Sequence, residues 1–188
     1  MKANGLRALG ALLAGLTAFG AQAQLVTNGG FEQRSFVGWT QVGDTVFNDV
    51  PCGAGSPVVF EGECSAVLAG GSIQQTINLG AVGNAWTLSF AVAGDGSEGS
   101  SFSALFGGQT LLSLVNPAAA GYTLYSFSGL AGAATQTLAF NYASTSFGTL
   151  YLDAVSVSAV TPIPEPETVA LMGAGLAALA FVRRRRKG

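Results

Sequence analysis

The sequence predicts an all-β protein: a two-sheet jelly-roll sandwich flanked by an N-terminal signal helix and a C-terminal transmembrane helix. Three observations carry that expectation. Short segments between residues 24 and 160 alternate apolar and polar side chains with period two, which buries one face of a strand. No segment in that span carries an apolar stripe at helical spacing. Long apolar runs occur only at the two ends of the chain, next to basic residues.

Two segments alternate most clearly. Trp86, Leu88, Phe90 and Val92 stand against Thr87, Ser89, Ala91 and Ala93, and Leu138, Phe140 and Tyr142 against Thr137, Ala139 and Asn141. Weaker runs are Ser72 to Leu79, Ser101 to Phe106, Gln109 to Val115, Tyr122 to Phe127 and Thr149 to Ser158. Gly94-Asp95-Gly96-Ser97-Glu98-Gly99 and Asn116-Pro117 separate them with turn chemistry. So many short strands in one domain's worth of chain suggest two packed sheets, and the pattern fits a jelly roll and an immunoglobulin-like Greek key alike.

At the N-terminus, Lys2 and Arg7 precede an apolar run ending in Ala21-Gln22-Ala23. That is the layout of a signal peptide, with signal peptidase cutting after Ala23, so that residues 1–23 are removed and the ectodomain is 24–160. A buried core helix would be amphipathic, and this run is apolar all round. At the other end, residues 161–188 form a separate unit. Thr161-Pro162-Ile163-Pro164-Glu165-Pro166-Glu167 continues neither sheet nor helix. The uncharged run from Thr168 to Val182 follows, then Arg183, Arg184, Arg185, Arg186 and Lys187. As a helix the run reaches about 22 Å against roughly 30 Å of hydrocarbon, a thin membrane span that snorkelling arginines would lengthen. The basic cluster keeps that end cytoplasmic and leaves the ectodomain outside.

The order Pro164-Glu165-Pro166, apolar helix, Arg183 to Arg186 resembles the PEP-CTERM sorting signal of Gram-negative bacteria. The resemblance implies an exosortase-like membrane protease as partner, cleavage near Pro-Glu-Pro, and transfer to the cell surface or extracellular matrix of exopolysaccharide-producing, biofilm-forming bacteria. The rival is a plain single-pass tail anchor, which needs no Pro-Glu-Pro and usually has a longer span.

Charge excludes one function class. Within 24–160 the acids are Glu32, Asp44, Asp49, Glu61, Glu63, Asp95, Glu98 and Asp153, and the only base is Arg34. Such a domain has no electrostatic footprint for phosphate backbones, so no nucleic acid is expected as a partner. Cys52 and Cys64 both lie in the exported part, where a disulfide is the default, worth about 3 kcal/mol for a loop of that size. A zinc site is poorly served by two thiols in a chain without histidine.

The opening Leu25-Val26-Thr27-Asn28-Gly29-Gly30-Phe31-Glu32 with Gly38-Trp39, the middle Ile73 to Ile77 and Trp86 to Phe90, and the closing Leu150 to Val157 resemble the galactose-binding-like jelly rolls of carbohydrate-binding modules. That resemblance implies a structural calcium ion, Ca2+, between the first and last strands, held by Glu32 and Asp153 with backbone carbonyls. Ala154 departs from the Asp or Asn often found there, and the competing role for Glu32 is an ion pair with Arg34. Sugar binding needs aromatic faces with amides or carboxylates beside them. The candidates are Trp39, Tyr122 and Tyr142, then Tyr125 and Tyr151, with Gln74, Asn141 and Asp44 as polar partners.

Catalysis has little to work with. Without histidine the common general base is missing, and Glu61 and Glu63, two apart beside Cys64, read as a solvated acidic hairpin. Asp95 and Glu98 lack the ligand spacing of an EF-hand and read as an exposed turn. Two functions remain: a noncatalytic module binding extracellular polysaccharide, and a structural matrix or adhesion protein with no defined small ligand. A solvent-exposed aromatic row favours the first and buried aromatics favour the second.

Overall fold

Nine β-strands carry the fold in the computed structural model, which describes residues 24–160, 171–176 and 183. They are β1 (Thr40–Val42), β2 (Ala66–Leu68), β3 (Ser72–Asn78), β4 (Ala85–Gly94), β5 (Ser100–Phe106), β6 (Gln109–Val115), β7 (Thr123–Leu130), β8 (Thr135–Ser144) and β9 (Leu150–Val160). One sheet has the order β1-β3-β8-β5-β6 and the other β2-β9-β4-β7, with every pair antiparallel. Successive strands mostly alternate between sheets. Only β5 and β6 are consecutive neighbours, joined by Gly107-Gly108, whose φ values of 59° and 81° suit the tight turns that match strand twist.

The alternation read from the sequence sets the core. Trp86, Leu88, Phe90 and Val92 of β4 and Leu138, Phe140 and Tyr142 of β8 all point between the sheets and are buried. Phe90 packs edge-on against Phe140 at 5.0 Å, and Phe140 stacks on Phe102 at 6.1 Å. Such aromatic pairs contribute beyond the area they bury. β1 and β2 escape sequence reading because three residues are too few to show a period.

Ala91 and Ala93 depart from the simple pattern. They lie on the outer side of β4, yet are 0 % and 8 % exposed. The segment closed by the Cys52–Cys64 disulfide lies over them. Its Val58 carbonyl accepts from the Tyr122 hydroxyl at 2.6 Å, and its Phe60 and Glu61 amides donate to Asp153, which stands beside Ala91 in the β4–β9 register.

Strand register defines two poles. β4 runs from Ala85, opposite Val160, to Gly94, opposite Leu150. Gln24 bridges Ser158, so both ends of the domain meet at the Val160 pole. The loops 43–49, 95–99, 116–121 and 144–149 gather at the other pole, because Val42 pairs with Ser72, Ser72 with Asn141, and Ser100 with Ser144.

Residues 171–176 form a short helix inside the expected span of 168–182. Among the described residues, no helix is long and apolar enough to cross a membrane. The signal helix of 1–23, Pro164-Glu165-Pro166 and Arg184, Arg185 and Arg186 lie outside the described residues; Arg183 is helical.

Candidate functional site

Glu32, which is exposed, and Asp153, which is buried, both lie near Gly30 and both accept hydrogen bonds from the disulfide segment. A Cβ placed on Gly30 would lie 3.8 Å from Glu32 Cγ and 3.9 Å from Asp153 Oδ1. Glu32 Oε1 accepts from the amides of Glu63 at 2.9 Å and Cys64 at 3.1 Å. Gly62, at φ 72°, packs against that carboxylate so closely that any side chain would collide with Glu32 Oε1. Arg34 pairs with Glu63 at 3.4 Å rather than with Glu32, on the exposed surface where such a bond contributes little.

Asp153 is fully buried. Oδ2 accepts from the amides of Phe60 at 2.9 Å and Glu61 at 3.1 Å, and Oδ1 from that of Ala154 at 2.6 Å. Burial pushes its carboxyl above the ordinary range; the three amides oppose the shift and the Glu61 charge adds to it. Ala154 occupies the β-bulge at φ 52°, a left-handed conformation that Asn and Asp tolerate better than Ala. Both carboxylates offer the hard oxygens that calcium takes, while Asp153 accepts from backbone amides through both of its oxygens and Glu32 through one. Among the described residues, no third acidic side chain joins them.

The sugar-stacking candidates fare differently. Trp39 is 7 % exposed, stacked on Phe31 at 5.8 Å, with its indole N–H donated to the Asn28 carbonyl at 3.1 Å. Tyr142, 2 % exposed, belongs to the inward row of β8. Neither ring presents a face to solvent: strand alternation turns Tyr142 inward, and Trp39, in the loop before β1, is held by Phe31 and the Asn28 carbonyl. Tyr122 is half-buried, its ring 5.4 Å from Phe60; burial pushes its hydroxyl pKa up to about 12. It braces the disulfide segment.

The polar partners do find a common surface. Gln74 and Asn141 both lie on the outer face of the five-stranded sheet, and register lines up Val42, Ser72, Asn141, Ser103 and Ser113 straight across all five strands. Asn141 Nδ2 donates to Ser103 Oγ at 3.1 Å. A depression of about 200 Å³ opens there, lined by Ser101, Ser103, Ser113, Asn141 and Ala143 together with the inward-facing Phe102 and Tyr142. Its hydroxyls and amide both donate and accept, which suits a polyhydroxylated ligand. Asp44 lies apart, in the loop after β1.

Sequence reasoning missed Phe47 and Phe147, which are 71 % and 95 % exposed. A phenylalanine outside an alternating run reads by default as core. The one sign available was the placement of Phe147 in the turn-like Ser144-Thr145-Ser146-Phe147-Gly148.

Residues 162–186 match the PEP-CTERM protein-sorting motif. No curated protein matches the sequence. The sandwich is similar to TmCBM61, solved in complex with beta-1,4-galactotriose, at TM-score 0.60 and 16% identity over 72% of this chain and 97% of that one. It is also similar to the CBM22-1 xylan-binding domain of Paenibacillus barcinonensis Xyn10C, at TM-score 0.53 and 14% identity over 76% and 98% of the two chains. A third likeness is to the K3 cleaved adhesin domain of Lys-gingipain from Porphyromonas gingivalis, at TM-score 0.50 and 19% identity over 73% and 98%. At these identities the likeness is one of fold. The chain thus carries a PEP-CTERM sorting motif behind a two-sheet sandwich with the jelly-roll fold of carbohydrate-binding modules.

Proposed function

We propose that the protein is exported, freed of residues 1–23 by signal peptidase, held transiently in the inner membrane by its C-terminal helix, and processed near Pro164-Glu165-Pro166 by an exosortase-like membrane protease. At the cell surface or in the extracellular matrix, its sandwich then binds polysaccharide without catalysis. The observation that carries the binding step is the row of Ser72, Asn141, Ser103 and Ser113 across the outer face of the five-stranded sheet, with its 200 Å³ depression. Hydroxyls and an amide on a rigid sheet give a saccharide matched partners without the cost of ordering long side chains.

The test is binding of the exported, oxidised protein to galactan, xylan and bacterial exopolysaccharides, beside an Asn141→Ala variant. Saturable binding weakened about tenfold by the substitution, or about 1.4 kcal/mol, supports the reading. The burial of Trp39 and Tyr142 favours the second reading, a structural matrix or adhesion protein, and absence of binding to every polysaccharide selects it.

Glu32 and Asp153 are proposed to hold a structural calcium ion. Calcium should raise the melting temperature relative to chelator, and Asp153→Ala should abolish that increment. An equal melting temperature in calcium and chelator refutes the site.

A further inference from the structure

Phe147 combines three properties that rarely coincide. It is 95 % exposed, it is bulky, and its φ is 57°, in the left-handed region that β-carbon sterics penalise. A ring that contributes nothing to the core, in a backbone conformation that costs free energy, has no role in stability. Strained residues of this kind concentrate at ligand-binding positions.

The loop that holds it is tied down. Ser144 Oγ accepts from the amides of Ser146 at 3.2 Å and Gly148 at 2.9 Å, Thr145 donates its amide to the Gly99 carbonyl at 3.1 Å, and the Thr149 amide donates to Asp95 Oδ2 at 2.7 Å. Ser146 Oγ donates to the Glu98 carbonyl. Loops 95–99 and 144–149 are therefore one knit surface, and they fix where the ring stands before any ligand arrives, which lowers the ordering cost of binding.

Position adds the ligand. Ser144 and Ser100 are paired, one residue beyond Ala143 and Ser101 of the depression, so the loop that carries Phe147 leaves β8 at that end of the polar row; the two rings that line the depression, Phe102 and Tyr142, are buried and offer no free face. Phe47, 71 % exposed, stands on another loop of the same pole. This pole is the one opposite Val160, from which the chain runs into the sorting motif at 162–186.

We infer that Phe147 is the aromatic platform of a saccharide site at this pole, taking the apolar face of a pyranose ring while the Asn141–Ser103 row hydrogen-bonds its neighbours along the chain. The inference rests on the polysaccharide reading above and adds to it the stacking residue and the part of the sugar that it recognises.

The experiment compares the wild-type exported protein with Phe147→Gly and Phe147→Trp in affinity electrophoresis through galactan, xylan and exopolysaccharide gels, with melting curves and sedimentation of each. Glycine adopts the left-handed conformation freely, so Phe147→Gly should melt higher than wild type while binding at least tenfold more weakly, and Phe147→Trp should bind as well as wild type. A purely structural phenylalanine would lower the melting temperature when removed. Wild type that binds, with Phe147→Gly binding equally, overturns the platform and leaves the polysaccharide reading intact; wild type that binds no polysaccharide overturns both. A dimer lost only in Phe147→Gly would assign the ring to a second copy of the chain and refute the saccharide platform.

Discussion

Removing the Asp153 carboxylate tests the account of how the disulfide segment is held to the sandwich. In Asp153→Ala the amides of Phe60 and Glu61 lose the acceptor that they share at 2.9 and 3.1 Å, under a segment that also covers Ala91 and Ala93. Each amide left without a partner costs about 1–3 kcal/mol, while relief of a buried carboxylate whose ionisation is disfavoured returns part of that. The net loss should be about 2–4 kcal/mol at neutral pH. Urea unfolding followed by the fluorescence of Trp39 and Trp86 measures it, and limited proteolysis should show new cleavage between Cys52 and Cys64. The pH dependence has a definite sign. With its folded-state pKa raised, Asp153 binds protons more readily in the folded protein, so its contribution to stability falls as pH rises from the ordinary carboxylate value through the raised one. The difference between wild type and variant should accordingly be largest below that window and smaller above it. A loss under about 1 kcal/mol, or a loss with no change in protease sensitivity of the segment, would refute the reasoning.

Replacing Cys52 and Cys64 by serine opens a loop with a sequence separation of 12 and should cost about 3 kcal/mol in the same urea assay, with Tyr122 losing its hydrogen bond to Val58. Ala154→Gly should stabilise the domain by about 1 kcal/mol, since it removes a β-carbon from φ 52° while leaving the amide donated to Asp153; a melting temperature at or below wild type would contradict the strain. Deleting the chain after Val160 should leave the unfolding curve of the sandwich unchanged, because the buried core ends at Val157, and should abolish surface sorting; surface display of the truncated protein in fractionated cells would refute the role of the tail.

Much of this molecule was legible before its coordinates. Period-two alternation in β4 and β8 placed Phe90 and Phe140 in the core, because a pleated strand leaves a side chain only two directions. The sorting motif was legible for a different reason: proline, an apolar run and an arginine cluster act through local chemistry and need no partner elsewhere in the chain. Cys52 and Cys64 could be paired because, in an oxidising compartment, two cysteines leave one choice.

What the tertiary structure decided is where polar and aromatic groups ended up. The sequence resemblance singles out Asp153 only as a candidate calcium ligand, and the disulfide segment folding over β9 is what makes it a buried acceptor for amides more than ninety residues away. Trp39 and Tyr142 carry the same chemistry as a sugar platform, and position, not residue type, sends them inward: the face of β8 for Tyr142, and the loop packing against Phe31 for Trp39. Phe147 is the converse, an apolar side chain that local hydrogen bonds hold in water. Periodicity along a chain reports which side of an element a residue takes; which side another segment then covers depends on contacts between distant parts of the chain, and those exist only once the two sheets have closed.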